Sequence, residues 1–307
     1  IYNNLVYVFK SKGTEKAFRN LIRCYGIGDE LVKLNLYGDE VTFTLKENFE
    51  SSITRKNFAN FYSTSSFNAS VFQTGSAADT NNLSFISGAS EFQNGNTFEI
   101  ETYFPLTDLK ATTNSIIAPF QTASLFGLHT PILTDESNLT WAPLDLGNFQ
   151  VSVVKSGVEN KDAFFMLTGT AGGVFPLLTS SIQKDVYNNT KWNLAVKIKP
   201  VNSPWASFVP PYGNPGDYVI EFVGYDTTLD AIENQFKVTG TIDLNDGENF
   251  ITSPKRAFVG AHRTNFTGSV LEQCDVKISS VKYWIDYLED ETILAHAKDS
   301  SNFGRLH

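Results

Sequence analysis

The segment Thr190-Lys191-Trp192-Asn193-Leu194-Ala195-Val196-Lys197-Ile198-Lys199 carries the pattern that decides the fold of this chain. Its large apolar side chains fall on every second residue, and polar or small residues fall between them. Such alternation is typical of a β-strand with one buried face, because successive side chains of a strand point to opposite sides of the sheet. The segment therefore predicts a strand in a sheet that covers a core.

Shorter runs of the same kind lie on both sides of this segment. Each run alternates apolar with polar or small residues, and turn-forming residues separate the runs. Phe (25 residues) and Tyr (12 residues) far outnumber the single Met, which also favours strands. Many short strands joined by turns, with little helical periodicity, indicate a β-sandwich or barrel. The runs lie within residues 96–104, 218–223, 236–242 and 276–285.

Composition excludes several classes of function. The 307 residues carry 24 Lys and Arg against 33 Asp and Glu, a formal net charge of −9, which argues against nucleic-acid or anionic-membrane binding. No stretch approaches the roughly 20 apolar residues that cross a bilayer, so we expect no membrane insertion. Two distant cysteines, Cys24 and Cys274, rule out a disulfide-stapled scaffold and a Cys-rich zinc site.

The N-terminal part has a different pattern. Apolar residues between 14 and 25 fall on one face of a helix, with Thr14 as its N-cap and Gly26 just after its C-terminus. Residues 40–46 then alternate as a strand. Residues 1–47 are therefore predicted to form a small helix-plus-strand unit, which supplies little core of its own.

The rest of the chain divides into a connector and a large domain. Residues 48–82 are rich in Ser, Thr, Asn and Ala, which predicts a connector, and residues 83–307 carry the strand pattern. Acidic residues near 289 and cationic ones near 298 favour a short closing helix, because these charges suit the helix dipole. The chain begins without Met or a signal peptide, so we expect a segment of a longer polypeptide.

Several pieces of the large domain, taken in order, resemble one known family. Residues 96–101 resemble its early strand, and residues 188–196 resemble its turn and Trp-led central strand. Residues 258–261 and 266–268 resemble its late glycine-turn strand and the start of the next strand, and residues 281–293 resemble its closing strand and acidic short helix. Together they resemble the LamG-like, concanavalin A-like jelly roll over about residues 83–303. The resemblance implies a mainly β jelly-roll sandwich, to which the N-terminal unit and the C-terminal helix are added.

The N-terminal stretch has a resemblance of its own. Residues 7–25, with Lys12-Gly13-Thr14, resemble a short helix found in tail and baseplate proteins of marine bacteriophages. Such a segment ahead of a LamG-like domain is similar to a phage structural protein. The resemblance implies an extracellular virion protein that forms a homo-oligomer in an assembly and contacts other virion proteins through residues 1–47.

The concanavalin A-like fold also hosts glycoside hydrolases, which place two carboxylates about 5–9.5 Å apart around the glycosidic bond. Glu99 and Glu101 are the nearest match, but the acidic series stops after two because Tyr103 follows. We interpret the pair as a solvated strand face opposite Phe98 and Ile100. No catalytic residue is predicted.

Other catalytic and metal motifs are missing from the sequence. None of the four histidines has metal-ligand spacing, and neither HExxH nor Gly-x-Ser-x-Gly occurs. Residues 169–173 are glycine-rich, but no Lys-bearing helix follows as in a phosphate loop. Calcium, which some laminin-type relatives bind through loop oxygens, lacks support, because Asp226, Asp230, Asp243 and Asp246 form no dense Asp/Asn loop. No cofactor or metal is predicted.

Two stretches are candidates for ligand binding. Residues 204–215 combine four prolines with Trp205, Phe208 and Tyr212, which predicts a surface loop whose rings either stack on sugars or pack on protein. Trp141 is a similar candidate. The second stretch is predicted as an exposed hairpin tip and contains His262, Arg263 and Asn265. Its side chains could hydrogen-bond a sugar or a neighbouring subunit. The alternative is that they form a solvated turn with no partner.

These observations lead to a non-enzymatic virion protein as the leading hypothesis. Its jelly roll would serve surface adhesion or host recognition through glycan or protein contacts. The alternative is an architectural virion component that packs on its neighbours without a ligand, and a distant third is a glycan-cleaving enzyme. The adhesion hypothesis rests on the family resemblance, because fold alone does not determine function.

Overall fold

The computed structural model describes most of the chain, with gaps between the described segments. The described residues are 4–27, 35–38, 41–45, 51–55, 57–73, 86, 95–106, 120–129, 149–157, 160–169, 175–202, 216–228, 231–252, 255–264, 266–299 and 301–304. They form two compact units, residues 1–57 and residues 58–307.

The first unit contains two short helices and a three-stranded antiparallel sheet. Its elements are α1 (Leu5–Lys10), α2 (Glu15–Arg23), β1 (Asn35–Gly38), β2 (Val41–Leu45) and β3 (Ser51–Arg55). The helix predicted over residues 14–25 is α2, which has Thr14 as its N-cap residue, and the strand predicted over 40–46 is β2. Helix α1 was not predicted, because its six residues are too few to show a helical period.

The second unit is mainly β and contains two six-stranded antiparallel sheets. The first sheet, in spatial order, contains β10 (Leu178–Thr179), β9 (Ala163–Gly169), β8 (Phe149–Lys155), β7 (Thr122–His129), β14 (Arg256–Gly260) and β5 (Ser70–Phe72). The second contains β13 (Ala231–Ile242), β12 (Tyr218–Thr228), β11 (Thr190–Pro200), β6 (Asn96–Phe104), β17 (Lys277–Trp284) and β4 (Ala59–Asn60). Strands β4 and β5 come from the stretch predicted as a connector, so the sandwich takes strands from both sides of residue 83.

Three smaller elements complete this unit. They are the hairpin β15 (His262–Arg263) and β16 (Val270–Glu272), the helix α3 (Leu244–Thr252) and the helix α4 (Asp290–Lys298). Asp243, considered above as a calcium ligand, precedes α3 and its Oδ1 accepts a hydrogen bond of 2.9 Å from the backbone N–H of Asp246. That bond is typical of a helix N-cap, which explains why this carboxylate stands there.

The core lies between the two sheets. Strand β11 pairs with β6 on one side and β12 on the other, and its alternate residues Trp192, Leu194 and Ile198 are buried in the core, as the alternation predicts. Aromatic rings from the two sheets meet there: Phe165 of the first sheet lies 4.8 Å from Trp192, centroid to centroid. Contacts of this kind join both sheets into one sandwich.

The closing helix predicted over residues 289–298 is present as α4. It packs on the outer face of the second sheet against β11 and β12, where Ile293 and Ala297 share a small apolar cluster with Ala195 and Val223. Its outermost residues are acidic at the start and basic at the end, in agreement with the dipole argument.

The interpretation of Glu99 and Glu101 as a solvated strand face is wrong. The two side chains do lie opposite the core residues Phe98 and Ile100, but they are only 1% and 2% exposed. Side chains from β17 and α4 enclose them, including His296, which binds Glu99. The sequence alternation predicts the face of the sheet correctly, whereas the covering elements come from residues nearly 200 positions later in the chain.

Candidate functional site

Most of the ring-bearing candidates lie outside the described residues. These are Trp141, Trp205, Phe208 and Tyr212, together with Asn265 of the predicted hairpin tip. The sugar-stacking hypothesis for residues 204–215 therefore stays a prediction.

The remaining two candidates, His262 and Arg263, are not on an exposed tip. His262 is 7% exposed, and its ring stacks on Phe258 at 5.3 Å. The guanidinium of Arg263 donates hydrogen bonds to the backbone carbonyls of Gly268, Thr267 and Asn68, at 3.0, 3.2 and 2.9 Å. The prediction of an exposed tip is wrong for His262, which is buried because it begins a paired hairpin. Arg263 is partly exposed, and its hydrogen bonds brace that hairpin.

The hairpin carries a carboxylate onto the outer face of the first sheet. Glu272 of β16 pairs in register with His262, and its Oε2 accepts a hydrogen bond of 2.8 Å from the Ser152 hydroxyl. The Gln150 side-chain amide donates to the same oxygen. Gln150 and Ser152 are alternate residues of β8, so both project from the outer face of the sheet toward the carboxylate.

Glu272 is held in a setting that opposes its ionisation. Burial raises the pKa of its carboxyl, while the bonds from Ser152 and Gln150 lower it to a lesser degree. A carboxylate kept at such a position destabilises the folded protein at neutral pH, and perturbed groups of this kind concentrate at functional sites. Glu272 is therefore a candidate functional residue.

A cleft of about 600 Å³ opens beside this carboxylate. Its polar lining includes the amides of Asn68, Gln121 and Gln273 together with Glu272, and Phe120 adds an aromatic ring. The Gln273 amide donates to Asn68 Oδ1 at 2.7 Å, which joins two walls of the cleft. The amides and the carboxylate offer hydrogen-bond donors and acceptors to a ligand in this open cleft, and Phe120 offers a ring face. Arg263 supports it indirectly, since it binds the backbone carbonyl of Asn68.

A second cluster of charged residues, beneath α4, is closed. Glu99 accepts a hydrogen bond from His296 Nδ1 at 2.9 Å and forms an ion pair with Lys282 at 3.1 Å. The other ring nitrogen of His296 bonds to the carbonyl of Gly304 at 2.8 Å. All three side chains are less than a tenth exposed, and their bonds tie the C-terminal segment to β6. This arrangement stabilises the fold, because the charged groups bond to one another and to the backbone.

An adjoining network on the same face has the same character. Lys197, which is fully buried, forms an ion pair with Glu221 at 2.8 Å and another with Asp290 of α4. Lys237 reaches the same two carboxylates, at 3.0 and 2.8 Å. Burial raises the pKa of both carboxyls, but the lysine contacts outweigh it, and both pKa values lie below the ordinary range.

The sequence offered no direct signal for the Glu272 site. Gln150 and Ser152 precede Glu272 by about 120 residues, and none of the three belongs to a recognisable motif. The one usable hint was that Gln150 and Ser152, at alternate positions of β8, are polar in a largely apolar strand.

Metal and membrane signals are lacking in the described part of the chain. No group of three His, Cys, Asp or Glu side chains there is placed to hold a metal ion. No helix among the described residues is long and apolar enough to cross a membrane.

Comparison with known proteins yields remote structural neighbours. No protein-family model matches the sequence, and no curated protein matches it. One similar solved structure is the enzymatically active domain of tailspike protein 2 of bacteriophage CBA120, with a TM-score of 0.40 and 8% identity, covering 89% of this chain and 32% of that chain. Another is a full-length tailspike protein 2 from an Escherichia coli O157:H7 bacteriophage, with a TM-score of 0.39 and 9% identity, covering 89% of this chain and 29% of that chain.

A third similar structure is an alginate lyase from Klebsiella pneumoniae, with a TM-score of 0.30 and 8% identity, covering 81% of this chain and 85% of that chain. This chain spans about a third of the length of either tailspike protein. These three structural neighbours are two phage tailspikes and an alginate lyase, each less than 10% identical to this chain.

Proposed function

We propose that this chain is a non-enzymatic structural module of a phage virion, and that its jelly-roll sandwich attaches the particle to a host-surface saccharide. The virion assignment and the LamG-like jelly roll rest on the sequence resemblances of residues 7–25 and 83–303. The arrangement of two facing antiparallel sheets supports a sandwich of that type. The observation that carries the binding function is the cleft beside Glu272.

The lining of the cleft suits a polyhydroxylated ligand. Side-chain amides offer a donor and an acceptor side by side, and a carboxylate adds strong acceptors, so together they match neighbouring sugar hydroxyls. Asn68, Gln121 and Gln273 supply the amides and Glu272 the carboxylate. Phe120 offers an apolar ring face of the kind on which a pyranose stacks, and its edge-to-face contact with Phe67 at 5.1 Å holds it in place.

A binding function fits this cleft better than hydrolysis. Glycosidases need two carboxylates that flank the bond, and among the described residues Glu272 is the only carboxylate in the cleft lining. Glu99 and Glu101, the nearest approach to a hydrolase pair, are enclosed on the outer face of the other sheet. We therefore propose that the bound saccharide is retained and not cleaved.

A glycan array followed by calorimetric titration of the full chain tests this function. Glu272→Gln keeps the size of the side chain and removes its charge, so we expect binding to weaken about tenfold, as for loss of a charge-assisted hydrogen bond. Glu233→Gln, on the exposed edge strand β13, is the matched control and should bind as the unaltered protein does. Equal binding by both variants, or release of reducing ends from a bound glycan, would refute the proposal.

A specific observation also favours the architectural alternative for the first unit. Helices α1 and α2 expose large apolar side chains, among them Phe9 (65%), Phe18 (57%) and Tyr25 (67%). Five Lys and Arg residues and one Glu accompany them between residues 4 and 27, so this surface is basic as well as apolar. We propose that it contacts other virion proteins, as predicted for residues 1–47.

Size-exclusion chromatography with light scattering, together with incorporation into particles, tests this contact. Phe18→Ser combined with Tyr25→Ser should leave the melting temperature of the sandwich unchanged and abolish incorporation. Normal incorporation of that double variant would contradict the assembly role.

A further inference from the structure

The imidazole ring of His296, on helix α4, lies between two hydrogen-bond acceptors. Its Nδ1 is 2.9 and 3.1 Å from the two carboxylate oxygens of Glu99 on β6, and its Nε2 is 2.8 Å from the backbone carbonyl of Gly304. The side chain is 1% exposed, so water competes little for either contact. The two acceptors therefore decide which protonation state of the ring fits this position.

Only the charged ring satisfies both acceptors. A carbonyl oxygen has no proton to donate, and the Glu99 carboxylate already accepts from the Lys282 ammonium at 3.1 Å and from the Trp284 indole N–H at 3.4 Å. Each ring nitrogen must therefore carry a hydrogen in order to bond its partner. Neutral imidazole has one N–H and the imidazolium has two, so the bond to Glu99 and the bond to Gly304 exist together only in the imidazolium.

Two further contacts favour a positive charge on the ring. His296 lies in the last turn of α4, where the carbonyl end of the helix attracts cations. The ring also stacks on the Trp284 indole, with centroids 5.5 Å and planes 17° apart, and an aromatic face attracts a cation. Both contacts act in the same direction as the Glu99 carboxylate.

The other charged groups on this face come from the strands beneath the helix and from the end of the helix itself. Lys282 of β17 pairs with Glu99, and Lys191 of β11 lies 3.9 Å from Glu101 of β6. Lys298 and Asp299 follow the ring on α4 and are exposed. The buried carboxylates and the lysines thus pair across the strands, and His296 adds one further cation to this cluster when it is protonated.

Polar contacts hold the C-terminal segment, residues 301–304, against the second sheet. Besides the bond from His296 to Gly304, Lys282 donates to the carbonyl of Asn302 at 3.0 Å and lies 4.8 Å from the centroid of the Phe303 ring. Phe303 is 67% exposed, so the segment buries little apolar surface. Loss of one of these polar contacts should therefore be enough to loosen it.

We propose that His296 is a proton-dependent latch, which holds residues 301–304 on the sandwich while its ring is charged and releases them when the ring gives a proton to solvent. The remaining proton stays on Nδ1, because a ring lone pair would be repelled more strongly by the Glu99 carboxylate than by a neutral carbonyl. Nε2 then presents a lone pair to the carbonyl of Gly304. Repulsion between two acceptors replaces the hydrogen bond, and the segment detaches.

NMR measurements on the full chain across pH test the latch. The Hε1 resonance of His296 reports the charge of the ring, and backbone amide relaxation of Phe303 and Gly304 reports the motion of the segment. We expect order parameters of about 0.85 while the ring is charged and below about 0.6 once it is neutral, with a shared midpoint. A segment that stays rigid beside a neutral ring, or that is mobile beside a charged one, would overturn the proposal.

Two variants separate the latch from a general effect of charge. Glu99→Gln offers an amide N–H to Nδ1, so a neutral ring can accept there and still donate to Gly304, and the segment should stay rigid at high pH. His296→Asn carries no charge, and its shorter side chain does not reach Gly304, so the segment should be mobile at every pH. Lys298→Gln, which removes an exposed cation from the same end of α4, should behave as the unaltered protein does.

Melting temperatures of the variants show whether the fold is retained. If Glu99→Gln does not fold, because Lys282 is then buried without its carboxylate, His296→Asn decides the test. A rigid segment in His296→Asn, or loss of the pH dependence in Lys298→Gln, would contradict the latch.

Discussion

Replacement of Lys255 by Met should change how the stability of this protein depends on pH. Lys255 lies just before β14 and is only 1% exposed. Its Nζ donates to the carbonyl of Ile251 at 3.3 Å and lies 4.7 Å from the centroid of the Phe250 ring. This burial lowers the pKa of the amine from 10.5 to about 7.

The sign of the effect follows from the two pKa values. Below pH 7 the amine is charged in both the folded and the unfolded chain, so the folded state bears the full cost of the buried charge. Between pH 7 and 10.5 the unfolded chain holds a proton that the folded chain has released, so the free energy of unfolding rises with pH. At about 1.4 kcal/mol per pH unit, the whole interval corresponds to about 5 kcal/mol.

Urea unfolding of the full chain between pH 7 and about 9.5 measures this slope below the range in which tyrosines titrate. The unaltered protein should gain stability across the interval. Lys255→Met, which keeps an unbranched side chain without charge, should be more stable at pH 7 and should lose most of the slope. Lys298→Met, at an exposed position of α4, should keep the slope of the unaltered protein. Equal slopes for the unaltered protein and Lys255→Met would refute the reasoning.

Three further predictions concern stability. Glu272→Gln should raise the melting temperature at pH 7 and have less effect near pH 4.5, because burial raises the pKa of this carboxyl and its ionised form destabilises the fold. A lower melting temperature of the variant at pH 7 would contradict this prediction. Lys155→Met should cost about 3–5 kcal/mol in urea unfolding, since it leaves Asp275, which is fully buried and 3.1 Å from the amine, without its ion pair; a neutral effect would count against a paired charge. Trp192→Ala should cost a similar amount, about 3–5 kcal/mol, because the ring is fully buried between the sheets; a loss below about 1 kcal/mol would show that the ring does not fill the core.

The sequence alone predicted the local structure of the sandwich well. Alternation identified β6, β11 and β12 and their core-facing residues, because a strand with one buried face must repeat with period two. End charges similarly identified α4, because residues at a helix terminus interact with its dipole. These properties depend on residues close in sequence, which is why a single sequence determines them.

The candidate site was decided by tertiary structure. Whether Glu99 faces water depended on His296 and Lys282, which pack over it from the far end of the chain. Glu272 gained its significance only from contact with Ser152 and with the cleft. No local pattern predicts such pairings, because they depend on how the strands are ordered in the sheets and on which segment covers each outer face. The sequence therefore determined the strands and the faces of their side chains, and only the packing of distant segments decided which polar faces are enclosed and which remain open to a ligand.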